Sequence, residues 1–228
     1  MLRAMSVFTS EVLAMTKVAV IDYGVGNLLS VSRALTHCGA QVDVTSDPTV
    51  ILAADRVILP GVGAFAIGMQ ALVVRGLDVV VRQVAAGGQP LMGICLGMQL
   101  LMEASEEFGE THGLGLVPGR VVPIPSVSTS GQPQKVPHIG WNELVLPESR
   151  DSWAGSVLSE IRSGDAAYFV HSFMALPTNP NHRLADCLYG GTRITAAVQC
   201  GQVCGFQFHP EKSGLVGLKI VKAFLEAS

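Results

Sequence analysis

The chain has 228 residues, 49% hydrophobic and 14% charged, which is enough apolar material for one large, well-filled core. A net charge of −3 without a Lys/Arg cluster offers no field for nucleic acid, and no uninterrupted apolar run approaches the ~18 residues of a membrane span. Five cysteines without C-x-x-C pairs indicate reduced thiols in a cytosol, and six histidines without H-x-x-x-H or Cys/His pairing give no reason to expect a metal.

Residues 1–15 lack the basic head, apolar centre and cleavage site of a secretory signal. They are expected to lie outside the fold as an N-terminal extension, with Met15 a candidate functional start and a single domain over 16–228. Lys17-Val18-Ala19-Val20-Ile21 reads as the first strand. Asp22-Tyr23-Gly24-Val25-Gly26-Asn27 follows it and opens a helix with Leu28, Val31, Leu35 and Cys38 at helical spacing. The Gly-x-Gly invites a dinucleotide reading. However, the third glycine of G-x-G-x-x-G falls at Leu29, and no acid stands at the expected distance.

Val42–Thr45 and Arg56–Leu59 read as strands two and three, and Ala64–Val74 and Leu77–Ala86 as helices. This alternation builds a doubly wound, mainly parallel α/β sheet, in which chemistry collects at the carboxyl ends of the strands. The turn Pro60-Gly61-Val62-Gly63 lies at one such end. The next strand ends in Gly93-Ile94-Cys95-Leu96-Gly97, between the apolar Pro90-Leu91-Met92 and a helical-looking Met98–Glu103. Strand, Gly-x-Cys-x-Gly, helix is the thiol form of a nucleophile elbow, whose turn is too crowded for side chains on either flank. The bland alternative is a buried structural cysteine.

Beside a nucleophile, the peptide N–H groups of Gly61, Val62 and Gly63, with that of Leu96, are candidates for an oxyanion hole. Gln99 lies one turn past Cys95 on the face that can look back at it. Glu103, Glu106 and Glu107 form an acidic run, with Glu103 and Glu106 read as a solvated helix end.

From Gly119 the pattern shifts to short β-like segments, Arg120–Ile124 and Leu144–Leu146, around a polar stretch, Ser126–Pro133, read as a mobile surface loop. Lys135–Asn142 follows, with Trp141 as either an interface anchor or core filler. Ala167–Phe173 reads as one strand carrying a packed His171. The last strands, Ile194–Val198 and Val203–Phe208, deliver His209-Pro210-Glu211-Lys212, where Glu211 can take one imidazole nitrogen of His209 and set its tautomer. An amphipathic helix, Leu215–Leu225, closes the chain.

Gly-x-Cys-x-Gly-Met-Gln followed by His-Pro-Glu resembles the class I (triad) glutamine amidotransferases, and the resemblance runs from Lys17 to the C-terminus. It implies a flavodoxin-like α/β sheet with additional mixed and antiparallel strands in the C-terminal half, a cytoplasmic location and no cofactor. It carries over Cys95 as nucleophile, His209 as base and Glu211 as orienter. Gln99, Glu107, Ser172 and Phe173 are implied to hold L-glutamine, with Glu107 on its ammonium group. In the Pro60–Gly63 turn the resemblance implies a peptide that must rotate to complete the oxyanion hole.

Three further segments, Asp-Tyr-Gly-x-Gly-Asn, Pro-His-x-Gly-Trp-Asn and Tyr-Phe-Val-His-Ser, resemble the branch serving histidine biosynthesis. There the glutaminase forms a heterodimer with a separate (β/α)8-barrel cyclase. On that resemblance Asn27, Trp141, Asn142, Tyr168 and Lys212 face the partner. The departures are the extra N-terminal residues, the long Ser126–Pro133 stretch and Phe173 where another aromatic is expected. A glutaminase subunit of another synthase, a stand-alone cysteine hydrolase and a non-catalytic binding protein remain open, because bare Cys-His-Glu geometry also serves a peptidase or esterase.

Overall fold

The structure is a computed structural model describing residues 15–227, so the expected extension, Met15 excepted, lies outside the described residues. The first half alternates strand and helix. β1 (Lys17–Ile21), α1 (Leu28–His37), β2 (Gln41–Thr45), α2 (Pro48–Ala53) and β3 (Arg56–Gly61) are followed by α3 (Phe65–Val74), α4 (Leu77–Ala86), β4 (Leu91–Cys95) and α5 (Leu96–Leu100). The second half is β-rich: β5 (Met102–Ser105), β6 (Thr111–His112), β7 (Val117–Pro123), β8 (His138–Glu143), β9 (Ala166–His171), β10 (Phe173–Pro177), β11 (Arg183–Tyr189), β12 (Thr192–Cys200) and β13 (Val203–Phe206). A 3-10 turn, Pro210–Lys212, and α6 (Gly214–Glu226) follow.

Seven strands form the central sheet in the order β11-β12-β13-β4-β3-β1-β2. From β13 to β2 every pairing is parallel, while β11 and β12 extend the sheet antiparallel. Strict alternation along each inner strand sends side chains into two cores, as expected where both faces are covered. Val18, Val20, Ile58, Met92 and Ile94 meet α1 and α6 on one face. Ala19, Ile21, Val57, Leu59 and Leu91 meet the apolar sides of α2, α3 and α4 on the other. A smaller sheet, β10-β7-β5-β6, and a two-stranded ribbon, β8-β9, make up the remaining strands. No helix among the described residues is long and apolar enough to cross a membrane.

Four expectations are corrected. The helix after Cys95 stops at Leu100, because the chain turns into β5, which pairs with β7; Glu103 is therefore a strand residue, its carboxylate accepting from Gly119 N–H at 2.7 Å. Ser126–Pro133 is a small hairpin rather than a free loop, closed by Val127 against Pro133 and docked through Thr129 N–H on the Gly190 carbonyl at 2.9 Å. Leu144–Leu146 forms only an isolated bridge, Val145 to Asp186, rather than a strand. The strand expected over Ala167–Phe173 breaks at Ser172, where β9 ends and the chain crosses from the ribbon to the smaller sheet as β10.

Candidate active site

The elbow is set by steric exclusion. Cys95 has φ +54 and ψ −110, a rare conformation for a residue with a side chain, and the packing around it enforces that shape. A Cβ on Gly97 would collide with the Leu59 carbonyl, and one on Gly93 would lie 2.7 Å from Met98 N. Leu59 belongs to β3, and Gly61 is the register partner of Cys95, so the elbow and the Pro60–Gly63 turn stand side by side. Gly61 is itself a packing position: a Cβ there would meet the Tyr23 hydroxyl and Leu96 Cβ. Gly63 takes φ +104, a conformation open to glycine, while Val62 is half-exposed beside it.

On the other flank β13 runs parallel to β4 and continues into Gln207, Phe208 and His209. His209 Nδ1 and Glu211 Oε1 are 2.8 Å apart, both side chains almost fully buried. Three backbone contacts hold the turn: His209 N–H donates to the Tyr168 carbonyl at 3.0 Å, while Lys212 N–H and the Ser213 hydroxyl donate to the His209 carbonyl at 2.9 and 2.7 Å. Burial alone would lower the imidazole pKa. The Cys95 sulfur and the Glu211 carboxylate outweigh it and push the pKa up to about 9. The other nitrogen, Nε2, is buried without a hydrogen-bond partner among the described residues.

Cys95 and His209 line one cavity of about 290 Å³. Val62, Gly63 and Leu96 form its wall beside the elbow, whereas Gly61 lies behind that wall. Gln99, Glu107, Ser172 and Phe173 also line the cavity, so all four residues expected to hold substrate converge there. Glu107 is anchored by accepting from Phe65 N–H at 2.6 Å, at the start of α3. Gln99 is buried and donates to the Phe173 carbonyl at 3.2 Å and to Gln207 Oε1 at 2.9 Å.

The residues expected to face a partner lie outside this cavity and divide into two groups. Trp141 is 59% exposed on β8 and meets Tyr168 of β9 edge to face at 6.0 Å, while Lys212 is exposed nearby in sequence to His209. Trp141 is therefore on a strand and is not core filler. Trp153 takes that role, buried with its indole N–H on the Leu184 carbonyl at 2.7 Å. Asn27 and Asn142 have internal duties: Asn27 caps α1 through Ser30 N–H, and Asn142 turns inward to His138 and the Leu188 carbonyl.

Sequence reasoning missed three residues. Tyr23 is fully buried, and its hydroxyl donates to the Pro60 carbonyl at 2.6 Å, tying the first βα turn to the candidate oxyanion turn. Gln207 reaches Cys95 Sγ at 3.8 Å; its signal was a lone amide between Phe206 and Phe208. His138 bonds His171 at 3.0 Å and has no signal beyond its motif.

The family described as "Glutamine amidotransferase class-I" matches residues 19–227. The chain belongs to this family. Among class I glutamine amidotransferases it is 50% identical over 212 residues to "Imidazole glycerol phosphate synthase subunit HisH 1" of Legionella pneumophila (strain Lens), covering 93% of this chain and all of that one. It is 49% identical over 216 residues to "Imidazole glycerol phosphate synthase subunit HisH" of Methylococcus capsulatus, covering 92% and 96%. Two solved structures share the amidotransferase fold at low identity. One, "Crystal structure of glutamine amidotransferase", has a TM-score of 0.68 at 19% identity, covering 92% of this chain and 97% of that one. The other, "Structure of PurLQS from Thermotoga maritima", has 0.66 at 21%, covering 93% and 98%.

Proposed function

We propose that this chain is the glutaminase subunit of an imidazole glycerol phosphate synthase, with Cys95, His209 and Glu211 as its triad. The reading is carried by one observation: His209 is held by Glu211 through Nδ1, with Nε2 unpaired, beside Cys95 on a shared cavity. The roughly 50% identity to curated subunits of that synthase supports the choice of member.

In this mechanism His209 Nε2 takes the Cys95 thiol proton as Sγ attacks the side-chain amide carbon of L-glutamine, and the carbonyl π electrons move to oxygen. Peptide N–H groups of the Val62–Gly63 turn and Leu96 receive that oxyanion. Collapse expels ammonia, which takes its proton from the imidazolium of His209, and leaves a γ-glutamyl thioester. His209 then removes a proton from water, which attacks the thioester; glutamate leaves and the thiol is restored. Glu211 orients the imidazole and stabilises its charged form without carrying a proton. Glu107 pairs with the ammonium of the substrate, and Ser172 and Phe173 offer backbone groups. Ammonia passes to a separate (β/α)8-barrel cyclase seated on the Trp141–Tyr168 face and Lys212.

The test is steady-state glutamate release from the chain alone, with empty cyclase, and with cyclase carrying its ligand. Low, then higher, then highest turnover fits a subunit whose oxyanion turn is completed by its partner, since one missing donor typically costs about 10²–10³ in turnover. Equal turnover in all three arms would favour a stand-alone hydrolase.

A further inference from the structure

Between the outward strand β8 and the cavity runs a chain of hydrogen bonds whose proton positions can be worked out from both ends. The Asn142 side chain is oriented by two backbone groups: its oxygen accepts from Glu143 N–H at 2.8 Å, and its nitrogen donates to the Leu188 carbonyl at 2.9 Å. That nitrogen also lies 3.2 Å from His138 Nε2, so Nε2 accepts and the His138 proton sits on Nδ1. His138 Nδ1 is 3.0 Å from His171 Nε2, which must accept in turn, placing the His171 proton on its own Nδ1. The far end demands the same answer independently. His171 Nδ1 is 2.8 Å from the Phe173 carbonyl, an acceptor only.

The order is therefore Asn142 to His138 to His171 to the Phe173 carbonyl, with both imidazoles neutral. A proton added to either would set donor against donor. Burial lowers the pKa of His138 to about 4 and, against the opposing bond to the Phe173 carbonyl, that of His171 to about 3. The His138 ring is clamped between Tyr189, with centroids 4.1 Å apart, and Phe169, at 5.0 Å.

The Phe173 carbonyl also accepts from Gln99, which leads through Gln207 to Cys95 Sγ. Ser172 is held from its other side by Ile124 N–H on its carbonyl at 2.9 Å. This corner, where β9 crosses to β10, lines the same cavity as the elbow.

We propose that His138 and Asn142 are positioning residues: through His171 they fix the Ser172–Phe173 corner and Gln99, and so the substrate-facing wall, in register with Cys95. The proposal rests on the glutaminase reading. Neither residue touches the reacting atoms, so losing the relay weakens glutamine binding and the transition state alike, which raises KM and spares kcat.

The test is glutaminase kinetics of the full chain in complex with its cyclase. His138→Leu should raise the KM for glutamine about tenfold with kcat changed less than about threefold, and Asn142→Ala should do so more weakly. His138→Gln, which can accept from Asn142 and donate to His171, should restore KM to near the parent value. An unchanged KM in His138→Leu overturns the proposal, as does a Gln variant no better than Leu, because the effect would then lie in ring packing. Should His138→Leu fail to fold, Asn142→Ala decides by the same criterion. Imidazole ¹⁵N spectra of the parent give a readout independent of activity: both histidines should carry their proton on Nδ1 and stay neutral at pH 5.5, and an Nε2–H signal from either overturns the relay. A parent that releases no glutamate would instead sink the glutaminase reading, while the spectra still judge the relay.

Discussion

The elbow and the β8-β9 ribbon line one cavity and are held by different physics. At the elbow, Gly93 and Gly97 let backbones touch at distances where no Cβ fits, so its shape is fixed by exclusion. On the ribbon, the corner at Ser172 is fixed by side-chain hydrogen bonds through His138 and His171. Exclusion is all-or-none, since repulsion rises steeply. Hydrogen bonds are exchangeable with water at a net cost of about 1 kcal/mol each, so the ribbon can be adjusted in small steps. A site that must hold its nucleophile constant and vary its response to a partner can assign one task to each wall.

The contrast breaks first at Gly97. Alanine in α5 would gain about 1 kcal/mol of helix propensity. The clash with the Leu59 carbonyl outweighs that gain, and we expect Gly97→Ala to destabilise the chain by about 3 kcal/mol in urea unfolding. A neutral or stabilised variant would show that the elbow tolerates a side chain. On the ribbon, Trp141→Ala should weaken cyclase binding by about 1–2 kcal/mol by titration, as exposed aromatic anchors do, with the Tm of the isolated chain nearly unchanged. A large fall in Tm with coupling intact would return Trp141 to a structural role. Tyr23→Phe strips the Pro60 carbonyl of a buried donor and should cost about 1 kcal/mol, with a drop in turnover if Pro60 leads the proposed oxyanion turn.

The two walls also separate by pH. His209 is raised from 6.5 to about 9, so its pairing contributes stability fully present below pH 6.5 and lost as pH rises through about 9. His138 and His171 are depressed to about 4 and 3, so their contribution is present above pH 6.5 and lost as pH falls toward those values. Tm measured from pH 4 to 10 should fall on both sides. His209→Gln should flatten only the alkaline limb; an unchanged alkaline limb would contradict the pairing.

How far the sequence could be read follows from the same contrast. Local exclusion leaves a local mark, so Gly-x-Cys-x-Gly, the Pro-Gly-x-Gly turn and the strands of the parallel sheet were legible from short-range pattern. His-Pro-Glu was legible because its two working residues are two apart. The ribbon was not, since its bonds join positions far apart in sequence: His138 to His171, and Asn142 to Leu188. The break at Ser172 was hidden because Tyr168 to Phe173 has one continuous β-like composition. The early end of α5 was hidden because Leu101, Met102 and Glu103 suit a helix until β7 offers them a strand partner. Tyr23 read as part of a turn, and only the fold reveals Pro60 above it.

The central claim is that Cys95 is the nucleophile of a glutaminase, and the measurement that meets it directly is glutamate release by Cys95→Ser in complex with a cyclase. A hydroxyl in the thiol's place keeps the volume and the elbow but is a far poorer nucleophile for this base. Turnover should therefore fall by at least about 10³-fold, with the Tm and the cyclase affinity of the parent retained. Glutamate release at near-parent rate from a correctly folded Cys95→Ser complex would contradict the account.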